Sequence, residues 1–171
     1  MSNIQNEDFR DYVAARGSAL LRTAAVLAGD YVEAEDLLQA ALAKTYLAWD
    51  RINDRAAVDG YVRRAMVNTR ISWWRRRKLE VYPTDELPDL PVDDHTGQSE
   101  LRDALGRALQ RLPERQRLAV IMRYYEDMSE TEIAEALGVT VGTVKSTVSR
   151  AVAKLRGDAE LEQDVAPNAG K

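Results

Sequence analysis

Residues 128–156, MSETEIAEALGVTVGTVKSTVSRAVAKLR, decide how this chain reads. Ser129 followed by Glu132 is the pattern of a capping box, in which the two side chains satisfy each other's backbone N–H groups. The short helix that starts there carries Ile133, Ala134 and Leu137. Gly138 suits the positive φ of a tight turn, and Thr140 is placed to cap the next helix. That helix repeats apolar side chains at Val144, Val148, Val152 and Leu155, the spacing of a buried stripe. Two helices joined by a short glycine turn make a helix-turn-helix.

The other face of the second helix carries Thr143, Lys145, Ser146, Ser149 and Arg150, and no acidic residue lies between Thr140 and Arg156. Lysine and arginine reach phosphates or guanine edges, and serine and threonine bond to either. A helix of this composition suits the major groove of DNA.

Upstream, LRDALGRALQRL (101–112) places Leu101, Leu105, Ala108, Leu109 and Leu112 on one helical face. Pro113 fits the first turn of a following helix, which carries Leu118, Ala119, Ile121, Met122 and Tyr125. The C-terminal module therefore spans residues 101–156, and the tail 157–171 (GDAELEQDVAPNAGK) reads as disordered. Residues 79–100 hold three of the five prolines and seven acidic residues with no basic one. Proline fixes φ and like charges repel, so this segment reads as an extended acidic linker.

The N-terminal module, residues 1–78, shows helical periodicity and no sustained alternation of the strand kind. Phe9, Tyr12, Val13, Leu20 and Leu21 mark a first helix. Gly29-Asp30 interrupts it, with Asp30 as N-cap of a second helix that runs to about Arg51 and carries Leu37, Leu38, Ala41, Leu42, Thr45, Leu47 and Trp49. Residues 53–60 read as a loop. A third helix runs to Lys78, with Tyr61, Val62, Ala65, Met66, Ile71 and Trp74 facing the core. The fold class is all-α: two small helical domains joined by the linker.

Net charge is −4, yet residues 55–78 carry eight basic residues against one acidic. Within them YVRRAMVNTRISWWRRRK (61–78) offers Arg63, Arg64, Asn68, Arg70, Trp73, Arg75, Arg76, Arg77 and Lys78. Such a helix can neutralise phosphates and hold an unstacked base against an aromatic ring. Asn68 lies four residues after Arg64, on the same face.

Several classes fall away. There is no cysteine, and the one histidine, His95, sits in the polar linker. No metal cluster, nucleophile–base pair or glycine-rich phosphate loop is apparent, so neither an enzyme nor a cofactor is expected. No signal peptide or membrane-spanning run is visible, and the chain reads as soluble and cytoplasmic.

These segments together resemble the bacterial sigma factors of the sigma-70 superfamily, in particular the compact extracytoplasmic-function group and an actinobacterial subgroup of it. The resemblance spans about residues 9–156. AEDLLQAALAKTYLAWDRI (34–52) looks like the helix that binds core RNA polymerase, residues 61–78 like the −10 helix, and residues 112–156 like the −35 domain. It implies that Asp36, Leu38, Gln39 and Leu42 grip the β′ clamp helices, although Ala40 stands where the family usually has an acid. The loop from Asn53 through Asp54 and Arg55 to Val58 would cover a flipped −10 base, and Asn68 would line its pocket. Arg64, Trp73, Arg75 and Arg76, candidates from the composition of the helix itself, join the −10 set; by the resemblance Lys145, Ser146, Ser149 and Arg150 would meet the −35 element. The implied partners are core RNA polymerase, through the clamp helices and the β flap, promoter DNA and an anti-sigma factor; the linker would thread toward the active centre. The rival reading is a stand-alone helix-turn-helix regulator, which needs a dimer face or a receiver domain.

Overall fold

The computed structural model describes residues 2–79 and 100–165, which fall into two compact units divided between Pro88 and Asp89. Most of the expected linker, with His95, lies outside the described residues. Within them all regular structure is helical, as expected.

The first unit is built from α1 (Ser2–Ala28), α2 (Tyr31–Leu47) and α3 (Val58–Leu79), each packed on the other two. Short 3₁₀ turns at Trp49–Arg51 and Arg55–Ala57 link α2 to α3. The turn between α1 and α2 is local chemistry: Gly29 takes φ 85°, and the Asp30 carboxylate accepts the Glu33 N–H at 2.7 Å. The core gathers Ala24, Leu27, Leu37, Ala41, Trp49, Val62 and Met66.

Three expectations change here. Tyr61, assigned to the core, is 40% exposed, and Leu47 is 79% exposed. Arg70, read as a surface cation, is 1% exposed. Its guanidinium donates to the Ala28 carbonyl at 3.0 Å and to Glu33 Oε2 at 2.8 Å. It therefore closes the C-terminal end of α1, where a cation complements the helix dipole.

The second unit comprises α4 (Glu100–Arg111), α5 (Glu114–Val120), a π-helical turn (Ile121–Tyr125), α6 (Glu130–Leu137), α7 (Val141–Arg156) and α8 (Ala159–Val165). Pro113 stands at the N-cap of α5 rather than inside its first turn. The capping box forms: Ser129 accepts the Glu132 N–H at 3.1 Å, and Glu132 accepts the Ser129 N–H at 3.3 Å. Gly138 takes φ 66°, and Thr140 accepts the Thr143 N–H at 3.2 Å. On α7 the fully buried residues are Val144, Thr147 and Ala151, with Val148, Val152 and Leu155 half-buried. The buried stripe is thus rotated from the all-valine line, because small Thr147 and Ala151 permit closer approach to α5, against which α7 packs. On α4 it is Ala104, Ala108 and Leu112 that are buried, while Leu101 and Leu105 remain over 40% exposed. Tyr125 also points outward, at 54%.

In the π-helical turn the Ile121 carbonyl accepts the Glu126 N–H at 3.0 Å, five residues on. The chain recovers through Asp127 at φ 51°.

The tail corrects its composition. Residues 159–165 form α8, packed on α4, where a disordered segment was expected. Arg111 donates to Asp158 at 3.0 Å and to Glu160 at 3.1 Å, and Arg107 to Glu160 at 2.5 Å. For Glu160 the Arg107 hydrogen bond is the main cause holding the carboxyl below its ordinary value of 4.5. Burial would raise Asp158, but the Arg111 bond and charge outweigh it and lower the pKa from 3.8. Both carboxylates thus stabilise the folded form above about pH 4.5, and that contribution is lost as pH falls through their depressed folded values. Protection of the α8 amides relative to those of α7 should be full at pH 7 and fall selectively as the solution is acidified through the carboxylate range; an unchanged ratio would contradict this.

Candidate nucleic-acid interfaces

On α7, successive residues advance about 100° around the axis, so Lys145 and Arg150 lie about 140° apart. Between them the surface carries Gly142, Ser146 and Ser149. Small residues in the middle let a helix backbone approach base edges, while the flanking cations reach the two walls of a groove. Thr143 and Ser146 are half-buried. The Thr143 hydroxyl shares a hydrogen bond with Thr140 at 2.9 Å, and Ser146 donates to the Thr143 carbonyl at 3.0 Å. These two therefore shape the start of the helix, while Lys145, Ser149 and Arg150 are its outward set. Lys145 Nζ lies 3.7 Å from Glu130, an exposed pair that a phosphate could displace. A groove of about 380 Å³ runs beside this face, lined by Arg123, Tyr124, Glu130, Lys145, Ser149 and Arg156 among others.

On α3, the residues Tyr61, Arg64, Asn68, Ser72 and Arg75 are exposed at i, i+3, i+7, i+11 and i+14, a single stripe. This brings the expected Arg64, Asn68 and Arg75 together. Trp73 does not join them: it sits about 140° from Asn68 around the helix and is half-buried, as is Trp74. The aromatic on the Asn68 face is Tyr61. Its spacing from Arg64 and Asn68 was visible in the sequence, but its apolar ring had placed it in the core. Arg76 is exposed to one side of the stripe, and Arg77 pairs with Glu33 at 2.5 Å.

The loop ahead of α3 exposes Asn53, Asp54 and Arg55. Asp54 Oδ1 accepts the Ala56 N–H at 2.9 Å, so this carboxylate caps the 3₁₀ turn. Arg55 donates to Asp8 at 2.7 Å and to the Ile52 carbonyl at 3.1 Å, and its guanidinium lies 4.1 Å over the Trp49 ring. Trp49 is in turn met by Phe9 at 5.2 Å and Tyr12 at 5.7 Å. Just beyond, Asp59 accepts from Tyr12 at 2.5 Å and from Arg16 at 3.0 Å. Burial, then the Asp59 carboxylate, push the Tyr12 phenol well above its ordinary value, so it stays a donor at any working pH. Burial would raise Asp59, but the hydrogen bonds from Tyr12 and Arg16 hold it below the usual carboxylate range.

On α2, Asp36 and Gln39 are exposed. Leu38 is not: at 9% exposure it belongs to the core, and Leu42 is half-buried at the margin. The outward stripe is Val32, Asp36, Gln39, Ala43 and Leu47, with Val32 77% and Leu47 79% exposed. Val32 and Leu47 thus leave apolar surface in water at the two ends of this stripe. Among the described residues, no three His, Cys, Asp or Glu side chains form a group that could hold a metal ion, and no helix is long and apolar enough to cross a membrane.

The chain matches the family model described as sigma-70 region 2 over residues 12–80 and that of sigma-70 region 4 over residues 102–155. It is 51% identical over 149 residues to the RNA polymerase sigma-E factor of Streptomyces coelicolor, covering 87% of this chain and 84% of that protein. It is 39% identical over 124 residues to the ECF RNA polymerase sigma factor SigM of Mycobacterium tuberculosis, covering 72% of this chain and 62% of that one. Among solved structures it is similar to the sigma factor RpoE of Bartonella quintana, crystallised with the anti-sigma factor NepR. There the TM-score is 0.51 at 29% identity, over 88% of this chain and 96% of that one.

Proposed function

Since the chain belongs to the sigma-70 family as an extracytoplasmic-function RNA polymerase sigma factor, we propose that its two units divide promoter recognition between them. The second unit reads the −35 element with the outward face of α7. The first reads and holds the −10 strand with the Tyr61–Asn68–Arg75 stripe of α3 and the loop before it. The first unit also docks on core RNA polymerase through the α2 stripe that contains Asp36 and Gln39. The protein acts as a specificity subunit in the cytoplasm and performs no chemistry of its own. An anti-sigma factor is a fitting further partner, as for the Bartonella relative.

The observation that carries this reading is the α7 face, with an acid-free outer surface, small residues at its centre and a cation on each flank. Its acidic balance elsewhere fits the same scheme. A chain of net charge −4 repels DNA at long range, so tight promoter binding awaits assembly on the polymerase.

Run-off transcription with purified core polymerase, with and without this protein, tests the proposal; no protein-dependent transcript would refute it. Lys145→Ala and Arg150→Ala are each expected to lower −35-dependent initiation about tenfold, since one good base or phosphate contact is worth about 1–3 kcal/mol. Core binding should persist in both. Undiminished promoter selectivity in both variants would remove α7 from the interface.

A further inference from the structure

Arg55 was expected to face DNA, yet its guanidinium is held between Asp8 and the ring of Trp49. Asp59, one residue into α3, is held twice over, by Tyr12 and Arg16. Apart from Trp49, these partners lie on one segment of one helix: Asp8, Tyr12 and Arg16 share a face of α1 with Phe9, and Trp49 rests against Phe9 and Tyr12. The span that Arg55 centres, residues 53–57, has every side chain exposed and contributes nothing to the core until Val58. A loop with so little burial has low local stability unless something else fixes it.

We infer that the N-terminal part of α1 is a brace that presets the loop 53–58, with Arg55 and Asp59 as positioning residues rather than DNA contacts. The inference rests on the −10 reading above. Preset geometry lowers the ordering cost when a strand binds. Two anchors are used because each controls a different end: Arg55 fixes the middle of the loop against Trp49, and Asp59 fixes the entry to α3.

Direct contact and bracing predict opposite signs at Asp8. If Arg55 gripped phosphate, Asp8→Asn would free the guanidinium and remove a repelling charge, and strand binding would tighten. If Arg55 is a brace, the same change loosens the loop and binding weakens. Asp8 is exposed near the start of the chain, so this variant should fold normally.

The test uses holoenzyme assembled from core polymerase and full-length protein. The probe is a fluorescent single-stranded oligonucleotide carrying the −10 sequence of a promoter that supports run-off transcription. Asp8→Asn should weaken binding about threefold, the scale of one exposed ion pair. Asp59→Ala should weaken it about tenfold, since it loses a charge-assisted pair of bonds. The double variant with Tyr12→Phe should be no weaker than Asp59→Ala alone, as both remove the same tie. Affinity for core polymerase and for −35 duplex should not change. Asn68→Ala is the control for the underlying reading. If it weakens binding while Asp8→Asn tightens or preserves it, the brace is wrong and the −10 reading stands. If Asn68→Ala has no effect, the −10 reading fails and the brace with it.

Discussion

Replacing Arg70 with methionine should destabilise the first unit by about 2–3 kcal/mol and lower its unfolding midpoint by about 10 °C or more. Methionine fills much of the space, so the cost is not mainly a cavity. It is the Ala28 carbonyl, which the Arg70 guanidinium serves in the interior and which would be left without it. Glu33 would suffer less, because Arg77 remains beside it. Arg70→Lys should also fail, by nearly as much: one ammonium cannot span two partners on different elements as a guanidinium fork does. That separates the structural role from a DNA-binding one, in which lysine would serve phosphate almost as well. Thermal and denaturant unfolding give the readout; a lysine variant as stable as the parent would refute it.

The second large effect is expected on α2. Val32→Ser together with Leu47→Ser should lower affinity for core polymerase by about thirtyfold, the loss of one buried anchor at an interface. Both residues are almost fully in water in the free protein, so folding stability should not fall. Titration of labelled core polymerase separates the two quantities. Equal affinity for parent and variant would move the docking surface elsewhere. Leu38 offers the contrast: its replacement by serine should destabilise the unit, because that side chain is buried within it.

The punctuation of this fold was legible because it is local. Asp30, the Ser129–Glu132 pair, Gly138 and Thr140 act on backbone groups two to four residues away, and each does what its residue type suggests. Features decided at a distance were not legible. Arg70 reads as surface until Glu33 and the Ala28 carbonyl, about forty residues earlier, are brought to it. Tyr61 is more exposed than Trp73, against expectation, because both lie at the margins of an apolar stripe, and only packing against α1 and α2 decides which margin is covered. The tail looked too acidic to fold, since Arg107 and Arg111, which offset that charge, lie on α4. On α2, the apolar pattern marked out the helix but left open which of its leucines would face a partner.

The π-helical turn at Ile121–Tyr125 sets a rule for how this chain can vary. A π turn holds one residue more than an α turn, and the surplus is taken up before the capping box begins. Carried at α pitch instead, that one extra residue would turn everything downstream by about 100° around the axis. Helix α7 would then leave its register with α5, against which it packs. Substitution in this turn is least costly at the exposed Arg123, Tyr124 and Tyr125, because Ile121 and Met122 are buried in the core of the second unit.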